Sequence, residues 1–188
     1  DRGFKRLFRA RKPSWLVGEA DEAQLEFRVA VWYGQDDQGL RDIQGNFDVH
    51  KFTADIIYPR ERDRSIARQN AKAHTFKPLY GGTSGTPSER RYYRTFTEKY
   101  GGITREQDKW VDDAVINKEL TLPTGMKFYF PSLRVTHTGY VEGNTSVRNY
   151  PVQYLATAEI VPTALVHAWH CLKSCLLYTS DAADEEDS

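Results

Sequence analysis

One stretch, residues 68–81 (RQNAKAHTFKPLYG), holds the residues whose types and spacing suit chemistry. Arg68, Lys72, Phe76 and Tyr80 recur there at steps of four. An α-helix turns about 100° per residue, so a step of four drifts by only about 40°. The four side chains then form one slanting stripe of two cations, a ring and a phenol. A buried face would be aliphatic, and a wet face would lack the rings. A ligand with a charged end and a flat end, such as a nucleotide, matches that order. The stripe also fits a plain helix face with a solvated basic part and an aromatic that turns into the core. Other segments decide between the two readings.

The first is a carboxylate. The apolar run at 15–17 and the residues after it, bounded by Pro13-Ser14, read as a strand ending at Asp21. A strand end fixes a carboxylate rigidly and suits a metal ligand, although an Asp there also serves as a turn or helix cap. Residues 24–33 (QLEFRVAVWY) carry a helical pattern, and GQDDQG after them reads as a turn. Asp48 is placed to cap a helix over 48–58, with Phe52 and Ile56 inward. A charged connector follows at 60–65, and then the stripe helix to Tyr80, its last turn bent by Pro78. Gly81, Gly82 and Gly85 lie in GGTSGT, which lacks the lysine of a phosphate loop and reads as a helix stop and hinge.

Two more helices are expected over 88–100 and 104–118, capped by Ser88 and Thr104 and separated by Gly101-Gly102. The periodicity then changes. Segments 119–122 and 126–130 flank Pro-Thr-Gly and predict a hairpin, with 135–140 extending the sheet. A last helix over 149–172 is entered through Tyr150-Pro151.

The 188 residues are 39% hydrophobic and 28% charged, with 11 Tyr and 9 Phe, a globular profile that can bury a sizeable core. No apolar run approaches a membrane span and no signal peptide is evident, so no membrane partner is expected. The first residue is Asp, which suggests an internal piece. The formal charge of +0 hides an asymmetry. Arg2, Lys5, Arg6, Arg9, Arg11 and Lys12 make a basic start, while Asp181, Asp184, Glu185, Glu186 and Asp187 crowd the end. The body is modestly basic, compatible with a polyanionic partner without demanding one. The two cysteines, Cys171 and Cys175, fall at i, i+4 and make a poor disulfide, an intracellular profile. With His167 and His170 they offer zinc-type ligands, but one helix cannot close a tetrahedron around a metal.

The separated signals share an order. DEAQLEFR resembles motif A of the family A DNA polymerases, DxxQxExR, and RQNAKAHTFKPLYG resembles their motif B, RxxxKxxxFxxxYG. DVH at 48–50 lies between them as the family's DIH does, and NYPVQ at 149–153 is similar to NxPxQ. The likeness covers residue 3 to about 172, and TFKPLYGG has a phage-like phrasing. It implies an incomplete right-hand polymerase fold of the α+β class, mostly helical fingers plus part of an antiparallel palm sheet. The implied division is palm at 1–63, fingers at 64–118, palm again at 119–174, and a tail at 175–188.

The resemblance implies template-directed DNA synthesis in which a primer 3′-oxygen attacks the α-phosphate of a dNTP and pyrophosphate leaves. Two Mg²⁺ ions, about 3.5–4 Å apart, would stabilise the attacking and leaving oxygens. Asp21 matches the motif A metal ligand, and Glu22 the backbone carbonyl beside it. Arg68 and Lys72 match the triphosphate cations, with Lys72 offsetting charge on the leaving group, and His50 a further phosphate contact. Phe76 matches the ring beside the incoming sugar and base, and Tyr80 the ring near the templating position. Glu26 matches the gate that excludes a ribose 2′-OH. Gln24 is placed with the dNTP residues; Arg28 contacts primer-template or pairs with a carboxylate. Asn149 and Gln153 match primer-template contacts. The expected partners are primer-template DNA and dNTPs in the cytoplasm of a bacterial or phage-infected cell; the sequence says nothing of a processivity factor.

This chain departs from the family pattern in three places. Glu22-Ala23 replaces an aromatic and a Ser after the motif A Asp. Lys77-Pro78 replaces a Gly-hydrophobic pair after Phe76. Phe76, which keeps the motif B ring as Phe and not Tyr, predicts discrimination against dideoxynucleotides. No HDE hairpin with a second metal carboxylate follows NYPVQ, so the chain by itself is expected to bind without transferring. The stretch CLLYTSDAADEEDS resembles a translated adapter tail and is expected to be disordered. A single-subunit RNA polymerase shares the Arg-Lys-Tyr-Gly skeleton, but Glu26 and Phe76 argue against it; a non-catalytic nucleic-acid-binding module is the other alternative.

Overall fold

The computed structural model describes residues 9, 10, 12–14 and 22–172. The expected strand at 15–21, with Asp21, and the tail from 175 lie outside them. The described part is α+β and mostly helical: α1 (Leu25–Gly34), α2 (Asp37–Gln44), α3 (Val49–Ile57), α4 (Arg64–Thr75), a 3₁₀ turn (Pro78–Tyr80), α5 (Pro87–Lys99) and α6 (Gly101–Asn117). Strands β1 (Glu119–Thr121) and β2 (Lys127–Tyr129) follow, then β3 (Arg134–Val135), β4 (Val141–Glu142), α7 (Asn144–Tyr154), a π-helical segment (Leu155–Ile160) and α8 (Val161–Leu172).

The hairpin forms as expected, with Leu120 opposite Phe128 in an antiparallel pair. Residues 135–140 do not extend it. β3 and β4 make a separate antiparallel ladder, because Thr136 and Tyr140 close a turn between them. One aromatic cluster holds the helices together. Phe27 meets Tyr100 edge-on at 5.0 Å and Phe96 at 6.4 Å, and Phe96 meets Tyr100 at 4.8 Å. All three rings are at most 2% exposed. Leu79, Val147 and Val152 join the same cluster.

Several expectations are corrected. The stripe helix stops at Thr75, and Phe76 is its C-terminal cap. Pro78 has no N–H to give to His74, so the chain tightens into a 3₁₀ turn with Pro78 at its start. Gly81, at φ 78°, ends that turn as a left-handed stop. The cap of α5 is Thr86, not Ser88: Thr86 accepts from the Glu89 N–H while the Glu89 carboxylate accepts from the Thr86 N–H. Gly101-Gly102 do not separate two helices but begin α6, and Thr104 is inside it. On α3 the fully buried residues are Val49, Thr53, Ala54 and Ile57, while Phe52 and Ile56 are half-buried against the core. The last helix starts at Asn144, after Gly143 at φ 88°, and carries Pro151 inside it. GQDDQG is not a plain turn, since Asp36 opens α2.

Candidate nucleotide-binding site

Two clusters hold the residues singled out by sequence. The first is cationic and sits on the α3–α4 pair. These helices meet through Ala54, Ala67 and Ala71, each at most 1% exposed. Three alanines on facing helices let the backbones approach closely and leave the neighbouring positions 68 and 72 at the surface. Arg68 Nε donates to Asp48 Oδ2 at 2.7 Å. Asp48 Oδ1 accepts from the Lys51 N–H at 2.9 Å, so the cap of α3 also holds the arginine. Burial pushes the Asp48 carboxyl up, but the bonds from Arg68 and Lys51 and the nearby positive charges bring it below its ordinary range. Lys72 is exposed, and its side chain makes no hydrogen bond among the described residues.

His50 stands in the first turn of α3. Its Nδ1 lies 2.9 Å from Thr75 Oγ1, and its ring meets Phe76 edge-on at 5.6 Å. Burial first and the charge of Arg68 second hold its pKa below the usual histidine value; Asp48 pulls the other way, and Lys72 adds the smallest downward push. A recess of about 260 Å³ is lined by Gln24, Phe27, Arg28, Asp48 and Arg68 among others, which brings the start of α1 to the cationic cluster. Gln24 has a left-handed backbone, φ 55°, at the cap of α1. Arg28 does not pair with a carboxylate among the described residues; its Nε donates to the Ala23 carbonyl at 2.8 Å.

The second cluster joins three distant segments through one side chain. Gln153 Nε2 lies 3.4 Å from Glu26 Oε1 and 3.4 Å from the Tyr80 hydroxyl. Burial raises the Tyr80 hydroxyl pKa, the bond from Gln153 lowers it, and the Glu26 charge raises it. Phe76 stacks on Phe27, centroids 6.0 Å apart and planes 26° apart, which ties the end of α4 to α1. Asn149 is half-buried, with its Oδ1 buried and unpartnered.

Sequence reasoning missed the supports. Asp36, 4% exposed, accepts from the Gly39 N–H at 2.7 Å as the cap of α2. It also accepts from the Gly102 N–H at 2.7 Å and the Ile103 N–H at 3.3 Å, capping α6 from across the fold. A Cβ on Gly102 would stand 2.7 Å from the Gly34 carbonyl oxygen and 2.8 Å from Asp36 Oδ2, so only glycine fits. Gln107 donates to the Leu79 carbonyl at 2.8 Å and steadies the 3₁₀ turn that carries Tyr80. Asp36 follows a helix and precedes a glycine-containing helical run, which is the one local signal that could have marked it as a cap. A larger recess of about 430 Å³, lined by Gly81, Tyr93, Arg94, Asp108 and Arg148 among others, contains none of the catalytic or nucleotide-binding residues expected from sequence.

The donor set for a divalent metal is not assembled by the described residues. No group of three or more His, Cys, Asp or Glu among them could hold an ion. Asp21 lies outside them, and Glu22 is an exposed residue ahead of α1. Among the described residues no helix is long and apolar enough to cross a membrane.

Comparison with known proteins gives the family. Residues 1–179 match the family DNA polymerase family A. DNA polymerase I of Geobacillus stearothermophilus is 26% identical over 177 residues, 88% of this chain and 20% of that protein. The thermostable DNA polymerase I of Thermus aquaticus is 26% identical over 179 residues, 87% of this chain and 21% of that protein. Among solved structures, the POL domain of Pol1 from M. smegmatis, in complex with DNA primer-template and dNTP, superposes with a TM-score of 0.60 at 20% identity. The overlap covers 84% of this chain and 30% of that one. The chain belongs to DNA polymerase family A. It spans about a fifth of the length of the curated relatives it matches.

Proposed function

We propose that this chain is the nucleotide-binding part of a DNA polymerase that extends a primer on a template from dNTPs. The observation that carries the reading is Gln153, whose amide reaches both Glu26 and Tyr80 and so joins three of the four sequence matches at one point. Arg68 and Lys72 would take the triphosphate, with His50 beside them. Phe76, backed by Phe27, would flank the sugar and base, and Tyr80 would stand at the templating position. Stacking of that kind is worth roughly 1–3 kcal/mol per base. Glu26, held from behind by Gln153, would crowd a ribose 2′-OH; that position favours deoxynucleotides over ribonucleotides and separates this reading from an RNA polymerase. Gln24 lines the same recess as Arg68, and Arg28, Asn149 and Gln153 are assigned to primer-template.

In the parent enzyme the primer 3′-oxygen forms a bond to the α-phosphorus while the bond to the bridging oxygen breaks and pyrophosphate departs. This chain's cations would hold the departing negative charge. Magnesium, with Asp21 as a ligand, belongs to the proposal through the family resemblance. Residues 64–118 are assigned to the fingers and the flanking 1–63 and 119–174 to the palm. The chain itself, without an HDE hairpin, is assigned binding and not transfer.

Equilibrium binding of a dNTP and of primed template to the purified chain tests the reading. Arg68→Ala and Lys72→Ala should each weaken dNTP binding about tenfold, the scale of one charge-assisted contact. The purified chain should leave a primed template unextended. Undiminished dNTP binding in the double variant would refute the assignment of the cationic cluster, and primer extension by the chain would refute the division between binding and transfer.

A further inference from the structure

The hydrogen-bond arithmetic around His50 favours one direction for its bond to Thr75. Thr53 and Thr75 are both 0% exposed. Thr53 Oγ1 lies 2.7 Å from the Val49 carbonyl oxygen, and its one proton goes there. Thr75 Oγ1 lies 3.0 Å from Thr53 Oγ1, 3.0 Å from the Ala71 carbonyl oxygen and 2.9 Å from His50 Nδ1. It has one proton for three neighbours. If that proton went to His50, the other two contacts would set oxygen lone pairs against each other in a dry site, which is costly. If it goes to Thr53 or to Ala71, one such contact remains instead of two, and the hydroxyl turns lone pairs toward His50. His50 must then donate through Nδ1–H. A neutral imidazole with its proton on Nδ1 carries a bare lone pair on Nε2. Nε2 makes no hydrogen bond among the described residues and is absent from the buried unpartnered atoms, so it faces accessible space.

We infer that Thr75, backed by Thr53, is a positioning residue that fixes the neutral His50 proton on Nδ1, so that a phosphate is bound at His50 only together with a proton on Nε2. The inference rests on the nucleotide reading above and adds to it the protonation state in which His50 works. A phosphate oxygen has nothing to give a bare Nε2, and the two lone pairs repel. An imidazolium offers N–H at both nitrogens. The charged groups acting on His50 are Arg68 and Lys72 from α4 and Asp48 at the head of its own helix. In the ligand-free chain the two cations and burial keep the ring neutral near pH 7. A triphosphate seated on Arg68 and Lys72 reverses the sign of that field and draws the proton on. Binding therefore consumes a proton, and it strengthens as pH falls toward 6.

The test uses the full 188-residue chain. Long-range ¹H–¹⁵N spectra of the ligand-free chain at pH 7.5 should show His50 as the Nδ1–H tautomer in the wild type and in Thr75→Ser, and as the Nε2–H tautomer in Thr75→Val. Calorimetry with inorganic triphosphate in two buffers of different ionisation enthalpy should show uptake approaching about one proton per site for wild type and Thr75→Ser. Uptake in Thr75→Val should fall to what the ligand alone takes up; Thr75→Ala repeats the measurement if the valine disturbs folding. An Nε2–H tautomer in the wild type, or equal uptake in wild type and Thr75→Val, overturns the inference. The tautomer is read without ligand. A correct tautomer combined with triphosphate binding that ignores Arg68 and Lys72 would overturn the nucleotide reading instead, and the coupling with it.

Discussion

The cationic cluster and the Gln153 junction are built on opposite plans. The first comes from one helix hairpin, positioned by alanine packing between α3 and α4, and its cations stand at the surface, Arg68 on Asp48 and Lys72 without a side-chain hydrogen bond among the described residues. The second comes from three segments far apart in sequence, and its groups already hold one another. A site for a highly charged ligand gains from the first plan, because exposed cations keep their field available. A site that must read shape gains from the second, because half-buried groups in mutual contact resist displacement. Phe27 and Phe76 connect the two, by stacking where the helix hairpin meets α1.

That connection predicts the largest effect. Phe27→Ala should lower stability by about 3–5 kcal/mol, since the ring is 2% exposed and touches Phe76, Phe96 and Tyr100. Denaturant unfolding with both an aromatic and a helical signal would measure it. A loss below about 1 kcal/mol would mean that the two clusters are supported separately. Ala71→Leu addresses the helix hairpin alone. Ala71 is 0% exposed and packs against Ala54 of α3, so overpacking should cost about 1–3 kcal/mol and should disturb the His50–Thr75 contact before it reaches Gln153. Resonances of Gln153 that move as far as those of His50 in this variant would remove the distinction. Gln153→Ala addresses the junction. Its two contacts are long, 3.4 Å each, so the loss should be only about 0.5–1.5 kcal/mol. A double-mutant cycle with Tyr80→Phe should give a coupling below that range, and zero coupling would show the junction to be mere adjacency.

The same contrast explains how much could be read from the sequence. The cationic cluster was legible because a helix imposes a fixed step, so residues 68 and 72 announce a shared face. The Asp48 cap was legible for a similar reason, being a local event within one turn. What failed to show was the end of α4 at Thr75, where Pro78 trades one periodicity for another and moves Tyr80 off the stripe into a 3₁₀ turn. The triple role of Asp36 was illegible because two of its three donors arrive from Gly102 and Ile103, far along the chain. The separate β3–β4 ladder and the early start of α7 at Asn144 were also missed, since both depend on glycines at positive φ whose conformation the sequence leaves open. The Gln153 junction was foreseen as a set of motif residues, but no spacing rule told that one amide would touch the other two.

The smallest effect is the sharpest check on the open character of the cationic cluster. Asp48 is about as exposed as its partner, 38% against 42% for Arg68, so solvent screens the pair. Its lowered carboxyl pKa means that the pair contributes stability above the unfolded aspartate pKa, about 3.9, and loses it as pH falls through the folded value. Asp48→Asn keeps an oxygen to cap the Lys51 N–H while removing the charge. Between pH 5 and 7 the variant should be less stable by no more than roughly 0.5 kcal/mol after screening, and the gap should close on acidification and in high salt. Chemical denaturation against pH measures both. A gap above about 1.5 kcal/mol, or one that persists at pH 2, would make Arg68 a structural residue held for the fold. A small gap that closes leaves the guanidinium free to exchange a carboxylate for a phosphate at little cost to the helix hairpin that carries it.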